Sequence, residues 1–410
     1  MVVAVAGGAL QGLEITYLAQ KAGFETILLD RRKDAPATGI CHRFVAVDLT
    51  DHEALNGALG SVDLVLPATE NAQALRALAQ WCEENEMPLA FDPEAYAISS
   101  SKSASDSLFR KLGIPTPAAW PDCTFPVVAK PEGGSGSEGV EVFHDRHALE
   151  ARFGLTPPPG RVLQAYLTGP LFSIEVMGRP GSYRKFQITS LEMDREFGCK
   201  RVLAPSSLPP HLASSFERMA VTLAEAVCLR GIMDVEAVIH EGHFKVLEID
   251  ARFPSQTPIA VYHSTGMNMV ECLARLFLPE GGREGSPVNG GPAEGSVLEL
   301  PEDGREGDSV NRAPAGGSVL EHVRVRHGQL TVCGERIMAE AGPLHLESNF
   351  FGAQEALTNY APNRDDWVAT LMVQGPNLED AWNRREGVMR EILDRCGLAR
   401  YRDGSPRGRA

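Results

Sequence analysis

Two short apolar segments that carry an acid at every second position constrain this chain most. They are residues 232–239 and 244–250, and a Glu-Gly-His turn signal at 241–243 separates them. Apolar segments of this length around a tight turn predict a β-hairpin. Because alternate side chains of a strand share a face, the two acids of each strand should lie on the same side of the hairpin. The four acids are Asp234, Glu236, Glu248 and Asp250.

Four carboxylates on one small sheet repel one another and lose hydration. A hard divalent cation offsets that cost, and Mg²⁺ binds carboxylates together with substrate phosphates. The pattern therefore predicts a site for one or two Mg²⁺ ions, with Mn²⁺ as a substitute. Arg252 follows Asp250 on the same side and is suited to clamp a phosphate or to stabilise an oxyanion. The alternative is a hairpin whose polar face is only solvated.

Length and composition bound the class of protein. The chain has 410 residues, which predicts two or three domains, and its 43% hydrophobic and 23% charged residues are ordinary for a globular protein. A net charge of −15 argues against nucleic acid as a partner. The eight cysteines are scattered, the N-terminus lacks a basic leader and no apolar run is long enough for a membrane span, so we expect a cytoplasmic protein.

The first 30 residues predict a strand, a glycine-rich turn at 7–12, a helix and a second strand. This order is typical of a Rossmann-like domain, in which the turn either binds a dinucleotide or is only a tight connection. Strand ends in such a sheet line a ligand crevice, which makes Gln11, Glu70 and Asn71 candidate ligand contacts. Helix capping is the alternative for these polar residues.

A second group of residues predicts a phosphate site. Lys102 lies in a serine-rich helix start, and the strand at 125–131 reaches Lys130 just before a Gly/Ser-rich loop at 132–139. Backbone N–H groups and hydroxyls of such a loop can bind phosphates, although the order differs from a Walker loop. The alternative is a flexible surface loop. The loop residues of interest are Ser135, Gly136 and Ser137.

Later segments complete the domain prediction. A 22-residue offset relates Gly282–Gly285 to Gly304–Gly307 and 295–299 to 317–321, so we expect a duplicated, flexible insertion at 281–317 without a catalytic role. The predicted units are a Rossmann-like N-terminal domain at 1–93, a small subdomain at 94–168, a catalytic domain at 169–400 and a disordered tail at 401–410.

Taken in order, these motifs resemble the ATP-grasp superfamily. Lys102 and Lys130 match its nucleotide lysines, residues 164–167 match its adenine-binding linker, and 248–252 match its E-(I/V/M)-(N/D)-x-R motif. The family usually has glutamate where Gln164 stands and asparagine where Asp250 stands. The resemblance implies an α/β and α+β chain: a pre-ATP-grasp N-terminal domain, a small ATP-grasp subdomain and a C-terminal mixed-sheet domain. It implies ATP contacts from Lys102, Lys130, Ser135, Gly136, Ser137, Gln164, Ala165, Tyr166, Leu167 and Glu175, and metal contacts from Asp234, Glu236, Glu248 and Asp250.

Within that superfamily the runs at 7–12, 91–96 and 248–258 look like the ligases that join 3-methyl-D-ornithine to L-lysine in pyrrolysine biosynthesis. The resemblance implies an acylphosphate intermediate and an isopeptide bond, with Arg252 and Lys130 as catalytic residues and a possible homodimer. Both substrates carry two amines, which spare carboxylates would bind. The substrate candidates are Leu10, Gln11, Glu70, Asn71, Asp194, Glu196 and Ser255.

Three other functions stay open at this point. The chain could be an ATP-grasp ligase for other amino acids. It could be an NAD(P)-dependent dehydrogenase that uses the turn at 7–12, but this leaves Lys130, the Gly/Ser loop and the hairpin carboxylates unexplained. It could also be a nucleotide-binding regulator without activity, although the retained acids and Arg252 favour an enzyme.

Overall fold

A computed structural model describes residues 1–134, 137, 139–154, 158–278 and 316–404. Within these ranges no helix has the length and apolar character needed to cross a membrane. The strands are β1 (Val2–Ala6), β2 (Glu25–Asp30), β3 (Arg43–Ala46), β4 (Leu64–Pro67), β5 (Val127–Pro131), β6 (Glu141–Phe143), β7 (Arg161–Ala165), β8 (Leu171–Arg179), β9 (Ser182–Lys185), β10 (Thr189–Met193), β11 (Cys199–Ala204), β12 (Gly231–His240), β13 (His243–Asp250), β14 (Gly317–Arg326), β15 (Gln329–Val332), β16 (His345–Phe350), β17 (Ala353–Thr358), β18 (Trp367–Gly375) and β19 (Arg400–Asp403). The helices are α1 (Leu10–Lys21), α2 (His52–Leu59), α3 (Ala72–Glu84), α4 (Pro93–Ser99), α5 (Lys102–Leu112), α6 (Arg146–Phe153), α7 (Pro210–Ala226), α8 (Thr257–Thr265), α9 (Met269–Phe277), α10 (Arg336–Ala339) and α11 (Leu378–Arg395).

The N-terminal strands form the predicted parallel sheet, in the order β3-β2-β1-β4. Its glycine-rich turn is tightly packed against itself and against the end of β2. The Gly8 N–H donates to Asp30 Oδ2 at 2.6 Å, and a Cβ at Gly12 would lie 1.8 Å from the Gly7 carbonyl oxygen. Asp30 ends β2, where a dinucleotide fold would place the acid that binds a ribose, and here this acid holds the turn. The geometry favours the tight connection over a dinucleotide site.

A small antiparallel sheet, β6-β5-β7, follows. The helices α4 and α5 precede this sheet, and α5 begins at Lys102, in the predicted serine-rich helix start. Asp92 caps the first helix and the Ser101 hydroxyl caps the second by accepting from the Ala104 N–H at 3.2 Å. The Glu132 carboxylate accepts hydrogen bonds from Ser101 and Ser103. These bonds fix the start of the Gly/Ser-rich loop against the helix that begins with Lys102.

The predicted mixed sheet is confirmed and is large. Its main path is β13-β12-β8-β10-β11-β14-β18-β17-β16, with β9, β15 and β19 attached at its sides. The pairs along this path are antiparallel, whereas β19 pairs with β15 in parallel. Strands β16 and β17 and helix α8 were not predicted from the sequence.

The end of the predicted insertion belongs to the sheet. Residues 279–315 lie outside the described ranges, but β14 begins at Gly317, the last residue of the predicted insertion. The second copy of the duplicated segment therefore forms a strand between β11 and β18. A Cβ at Gly317 would lie 2.2 Å from backbone atoms of Asn377 and Leu378. Only glycine fits at this point of the sheet.

Excision of residues 296–317 is expected to leave stability and activity close to those of the parent. The deletion joins Gly295 to Ser318 and so puts another glycine in the tight position of Gly317. Shortening a connection by one repeat changes its closure free energy by less than about 1 kcal/mol. Thermal unfolding and ATP turnover would measure the effect. Gly317→Ala is the control that should destabilise the protein, and an excised chain that behaves like this control would contradict the expectation.

The segment 401–410 was predicted to be disordered, but its first residues are ordered. Residues 400–403 form β19, and Asp403 accepts from Lys200 Nζ at 2.5 Å and from Arg201 Nη2 at 2.6 Å. Arg201 is 2% exposed and also contacts Glu321, which binds Arg385 at 2.8 Å. This role could not be predicted, because the sequence of β19 is polar and its pairing partners are distant in the chain. Residues 405–410 lie outside the described ranges.

Candidate active site

The hairpin carboxylates share one face, as predicted. Strands β12 and β13 pair in a register that places Asp234 opposite Asp250 and Glu236 opposite Glu248. Directly opposite residues of an antiparallel pair lie about 4.5–5.5 Å apart between their Cβ atoms. The four acids therefore form two adjacent pairs on a single surface.

Strand β8 extends this surface and corrects the prediction for Glu175. Glu175 pairs with Asp234, and Ser173 pairs with Glu236. Glu175 is fully buried, and burial raises its pKa to about 7. It lies beside the hairpin acids and does not line the cavity that holds residues 164–167. The expected ATP contact is therefore wrong for Glu175, because the β8 register turns it toward the carboxylate face.

Burial and mutual repulsion make these acids hard to ionise. Burial raises the pKa of Glu236 to about 8, with Glu248 adding to the shift. Burial also raises the pKa of Asp234, helped by Asp250 and Glu236. For Asp250 burial raises the pKa to about 6, against the opposing effect of Arg252. Such a surface is costly for a folded protein to maintain, which is typical of a functional site.

Glu236→Gln is expected to stabilise the protein in the absence of divalent cations, increasingly as the pH rises from 5 to 8. The pKa of Glu236 is about 8 in the folded protein against 4.5 ordinarily. Between these values only the folded state holds the proton, so the parent loses stability as the pH rises, and the glutamine variant is spared that loss. Unfolding midpoints should differ little at pH 5 and by a few degrees at pH 8. Equal midpoints at pH 8 would contradict this; Glu241→Gln, exposed in the hairpin turn, is the control.

Arg252 lies at the end of the carboxylate face. Its Nη2 is 2.8 Å from Asp250 Oδ2 and 2.7 Å from Glu70 Oε1. The Ala251 N–H beside it donates to Ser99 Oγ at 3.0 Å, which ties the segment to α4. Arg252 is thus held next to the acids that could bind a metal, where developing negative charge on a substrate would be stabilised. Glu70, a predicted substrate contact, is in position to orient this guanidinium.

A cavity between the small sheet and the hairpin brings together most of the predicted nucleotide residues. Lys130 extends from β5 close enough to Glu236 to lower its pKa, against the burial that raises it. Lys102 Nζ donates to the Gly134 carbonyl at 2.8 Å, and the Tyr166 ring packs edge-on against Phe197. Ser135 and Gly136 lie outside the described residues. The lining includes Lys102, Lys130, Ser137, Gln164, Ala165, Tyr166, Leu167, Met193, Phe197, Glu236 and Glu248.

Two candidates of the N-terminal domain have structural roles. Leu10 is buried in the apolar core, and the Asn71 side chain caps α3 by accepting from the Gln73 and Ala74 N–H groups. The capping alternative therefore holds for Asn71. Gln11 differs, because its side-chain amide donates to the Phe253 carbonyl and joins α1 to the segment that follows Arg252.

Asp194 is hydrogen-bonded within its own turn, and its amine-binding role stays a prediction. Its carboxylate accepts from the backbone N–H groups of Glu196 at 2.8 Å, Gly198 at 3.0 Å and Gly334 at 2.7 Å. Asp194 therefore organises the turn between β10 and β11. Glu196 is exposed at this turn and lines a surface cavity with Arg195 and Arg402.

Sequence reasoning missed three residues near the predicted Ser255. Gln256 and Glu335 line a cavity beyond Arg252 together with Ser255, and Glu14 of α1 accepts from the Gln256 backbone N–H. Glu14 is 1% exposed in helix α1, which is buried on every face. An acid in an otherwise apolar buried helix was a sequence signal that Glu14 has a functional or structural role. Glu335 follows β15 and lies at the site because of the order of the strands in the large sheet. No local feature of the sequence predicts that order.

The donor set suits Mg²⁺ bound with phosphates. Among the described residues no three His, Cys, Asp or Glu side chains converge as a preformed metal site. Mg²⁺ usually needs only one or two carboxylates and completes its octahedron with phosphate oxygens and water. The directly opposed Glu236 and Glu248, beside Lys130 and the nucleotide cavity, satisfy that requirement. A cation would also relieve their repulsion.

Comparisons with known proteins agree with this geometry. Residues 99–256 match the ATP-grasp domain family. The 3-methyl-D-ornithine–L-lysine ligase of Methanosarcina acetivorans is 31% identical over 97% of this chain and 99% of its own length. That of Methanosarcina mazei is 37% identical over 67% and 71%. The ADP complex of N5-carboxyaminoimidazole synthetase from Staphylococcus aureus has a similar fold, with a TM-score of 0.63 at 16% identity over 94% of this chain and 96% of its own.

Proposed function

Because the chain belongs to the 3-methyl-D-ornithine–L-lysine ligase family of ATP-grasp enzymes, we propose that it joins these two amino acids at the expense of ATP. The product is an isopeptide between the 3-methyl-D-ornithine carboxylate and the lysine ε-amine, as pyrrolysine biosynthesis requires. The observation that carries the proposal is the pair of opposed carboxylates that faces two lysines across one cavity and ends at Arg252.

ATP would lie in the cavity between the small sheet and the hairpin. Residues 164–167 would contact the adenine, and Lys102 and Lys130 would bind phosphate oxygens. Ser137 belongs to the loop that would cover the phosphates. Glu236, Glu248 and Asp250 would hold Mg²⁺, or Mn²⁺ in its place, with Asp234 behind them. The bound cation would neutralise phosphate charge and align the γ-phosphoryl group.

The reaction follows from these positions. A carboxylate oxygen of the donor attacks the γ-phosphorus of ATP, and the bond between this phosphorus and the β,γ-bridging oxygen breaks. The products of this step are ADP and an acylphosphate. The neutral lysine ε-amine then attacks the acyl carbon, so that phosphate departs and the amine releases a proton. Arg252, fixed by Asp250 and Glu70, stabilises the charge that develops in both steps.

We also propose that the three predicted units, each built around one sheet, have different roles in the reaction. Residues 1–93 would contribute Gln11 and Glu70 to substrate binding, 94–168 would cover the nucleotide, and 169–400 would carry the carboxylates. In this scheme Arg252 lies where all three units meet, since it contacts Glu70 and its neighbour Ala251 contacts α4. The homodimer and the cytoplasmic location stay predictions.

Mass spectrometry of the products tests the proposed function. Incubation with ATP, Mg²⁺, L-lysine and D-ornithine, an analogue of the donor without its methyl group, should give one condensed dipeptide together with ADP and phosphate. Reactions without each component are the controls. ADP release without any condensed product would contradict ligation, and product formation only with other amino acids would move the assignment to a different ATP-grasp ligase.

A further inference from the structure

The cavity beyond Arg252 contains buried acceptors that nucleotide binding does not use. It opens from the carboxylate face and passes Arg252 to Ser255, Gln256 and Glu335. We call the part lined by Phe197, Cys199, Ser255, Gln256 and Glu335 the donor pocket. Since it adjoins Glu236 and Glu248 on one side, a carboxylate to be phosphorylated can lie near the acids while the rest of the molecule extends into the pocket.

Two oxygen atoms of this pocket lack a hydrogen bond within the described part of the chain. They are Gln256 Oε1 and Glu335 Oε2, and both are inaccessible to solvent. Gln256 as a whole is 6% exposed. A buried acceptor without a donor destabilises the folded protein, and more strongly when it is charged. Two such atoms beside one cavity are in position to accept hydrogen bonds from a ligand.

The backbone holds Gln256 in a strained conformation. Its φ of 72° and ψ of −56° are rare for a residue other than glycine, and the Thr257 N–H donates to the Ser255 carbonyl at 2.8 Å across it, as in a γ-turn. The Gln256 N–H donates to the Glu14 carboxylate, and its carbonyl accepts from the Ala260 N–H at 3.1 Å. Strain that is fixed from several sides is typical of ligand-binding positions.

The local charge selects the kind of ligand. Burial raises the pKa of Glu335 to about 7, partly opposed by Arg336, and burial raises the pKa of Glu14 to about 8 with a contribution from Glu335. A cation in the donor pocket would relieve this repulsion. An alkylammonium group offers three donors and no acceptor, which matches a carboxylate and an amide oxygen.

We propose that Glu335 and Gln256 bind the side-chain ammonium of the donor amino acid, and that Glu14 positions Gln256 for this contact. The inference rests on the proposed function for the identity of the donor. It makes the donor pocket the part of the site that distinguishes a diamino acid from a monoamino acid of equal length. Arg252 and the hairpin acids then act on the carboxylate end of the same molecule.

The test compares D-ornithine with D-norvaline, which has the same carbon chain without the side-chain amine. The parent should favour D-ornithine in kcat/KM for ATP-dependent coupling to L-lysine. Glu335→Gln should lower kcat/KM for D-ornithine about ten- to a hundredfold, the effect of one charge-assisted contact, and leave the values for D-norvaline and the KM for L-lysine within about twofold. Glu340→Gln, an exposed acid at the end of α10, is the matched control.

Binding measurements separate this inference from the proposed function. Calorimetry with D-ornithine in the presence of ADP and Mg²⁺ needs no turnover. If the parent binds D-ornithine but couples nothing, and Glu335→Gln loses that binding, the inference is supported and the proposed function is not. Equal losses for both donors, or a change confined to L-lysine, would overturn the inference.

Two more variants guard against a folding defect. Gln256→Met keeps the length of the side chain and removes its acceptor, so it should weaken D-ornithine binding and spare D-norvaline. Glu335→Asp keeps the charge and should retain part of the preference for D-ornithine. Unfolding midpoints near that of the parent would accompany both results. A preference unchanged in Gln256→Met and Glu335→Gln would overturn the proposal.

Discussion

Glu248→Gln is expected to lower ATP-dependent turnover by about three orders of magnitude while the protein remains folded. Glu248 lies directly opposite Glu236 on the hairpin and lines the nucleotide cavity. Glutamine keeps the volume of the side chain and removes the charge that would face Mg²⁺. Loss of that charge would weaken Mg²⁺ binding and misplace the γ-phosphate. A neutral side chain costs less to bury and reduces the repulsion on the carboxylate face, so the variant should stay folded.

Steady-state ADP release with both amino acids present measures the Glu248→Gln effect. Glu241→Gln is the matched control, because Glu241 belongs to the same hairpin but is exposed in its turn. Turnover should be unchanged in the control. Normal turnover in Glu248→Gln at limiting Mg²⁺ would remove Glu248 from the metal site.

Lys130→Met is expected to weaken ADP binding about ten- to a hundredfold. Lys130 extends from a strand whose preceding residues, Val128 and Ala129, are buried, so its ammonium starts from a rigid base. It lines the nucleotide cavity next to Glu236. Methionine keeps the apolar stem and removes only the charge. An exposed surface lysine would contribute almost nothing.

Calorimetry at fixed Mg²⁺ and salt measures the affinity for ADP. Lys111→Met is the matched control, since Lys111 is exposed at the end of α5 in the same part of the chain. Its affinity for ADP should equal that of the parent. Equal affinities in Lys130→Met and in the parent would mean that Lys130 does not contact the nucleotide.

The carboxylate hairpin was predictable because its information is local. Acids at every second position of two apolar segments determine which face they share, and a short turn, here residues 241–242, limits the possible registers. The surface that Glu175 shares could not be predicted in this way. Its face depends on the register between β8 and β12, and the 51 residues 180–230 separate those strands in the chain.

Contacts between residues that are distant in the chain could not be predicted. Asp194 is predicted as a spare acid, and the sequence has no sign that one of its three backbone donors is Gly334, far along the chain. Glu335 enters the site because β11, β14 and β15 carry it there, and its own neighbours in sequence predict only a turn after a strand. Composition and periodicity contain no information about such contacts.

The ion pairs of β19 have a consequence for how the protein is made. Arg201 and Lys200 are buried in the middle of the large sheet, and Asp403 supplies part of the negative charge around them. On the ribosome, Asp403 is synthesised about two hundred residues after Arg201. A nascent chain can therefore complete its N-terminal sheet early, but part of the negative charge around Arg201 and Lys200 is missing until Asp403 has been synthesised.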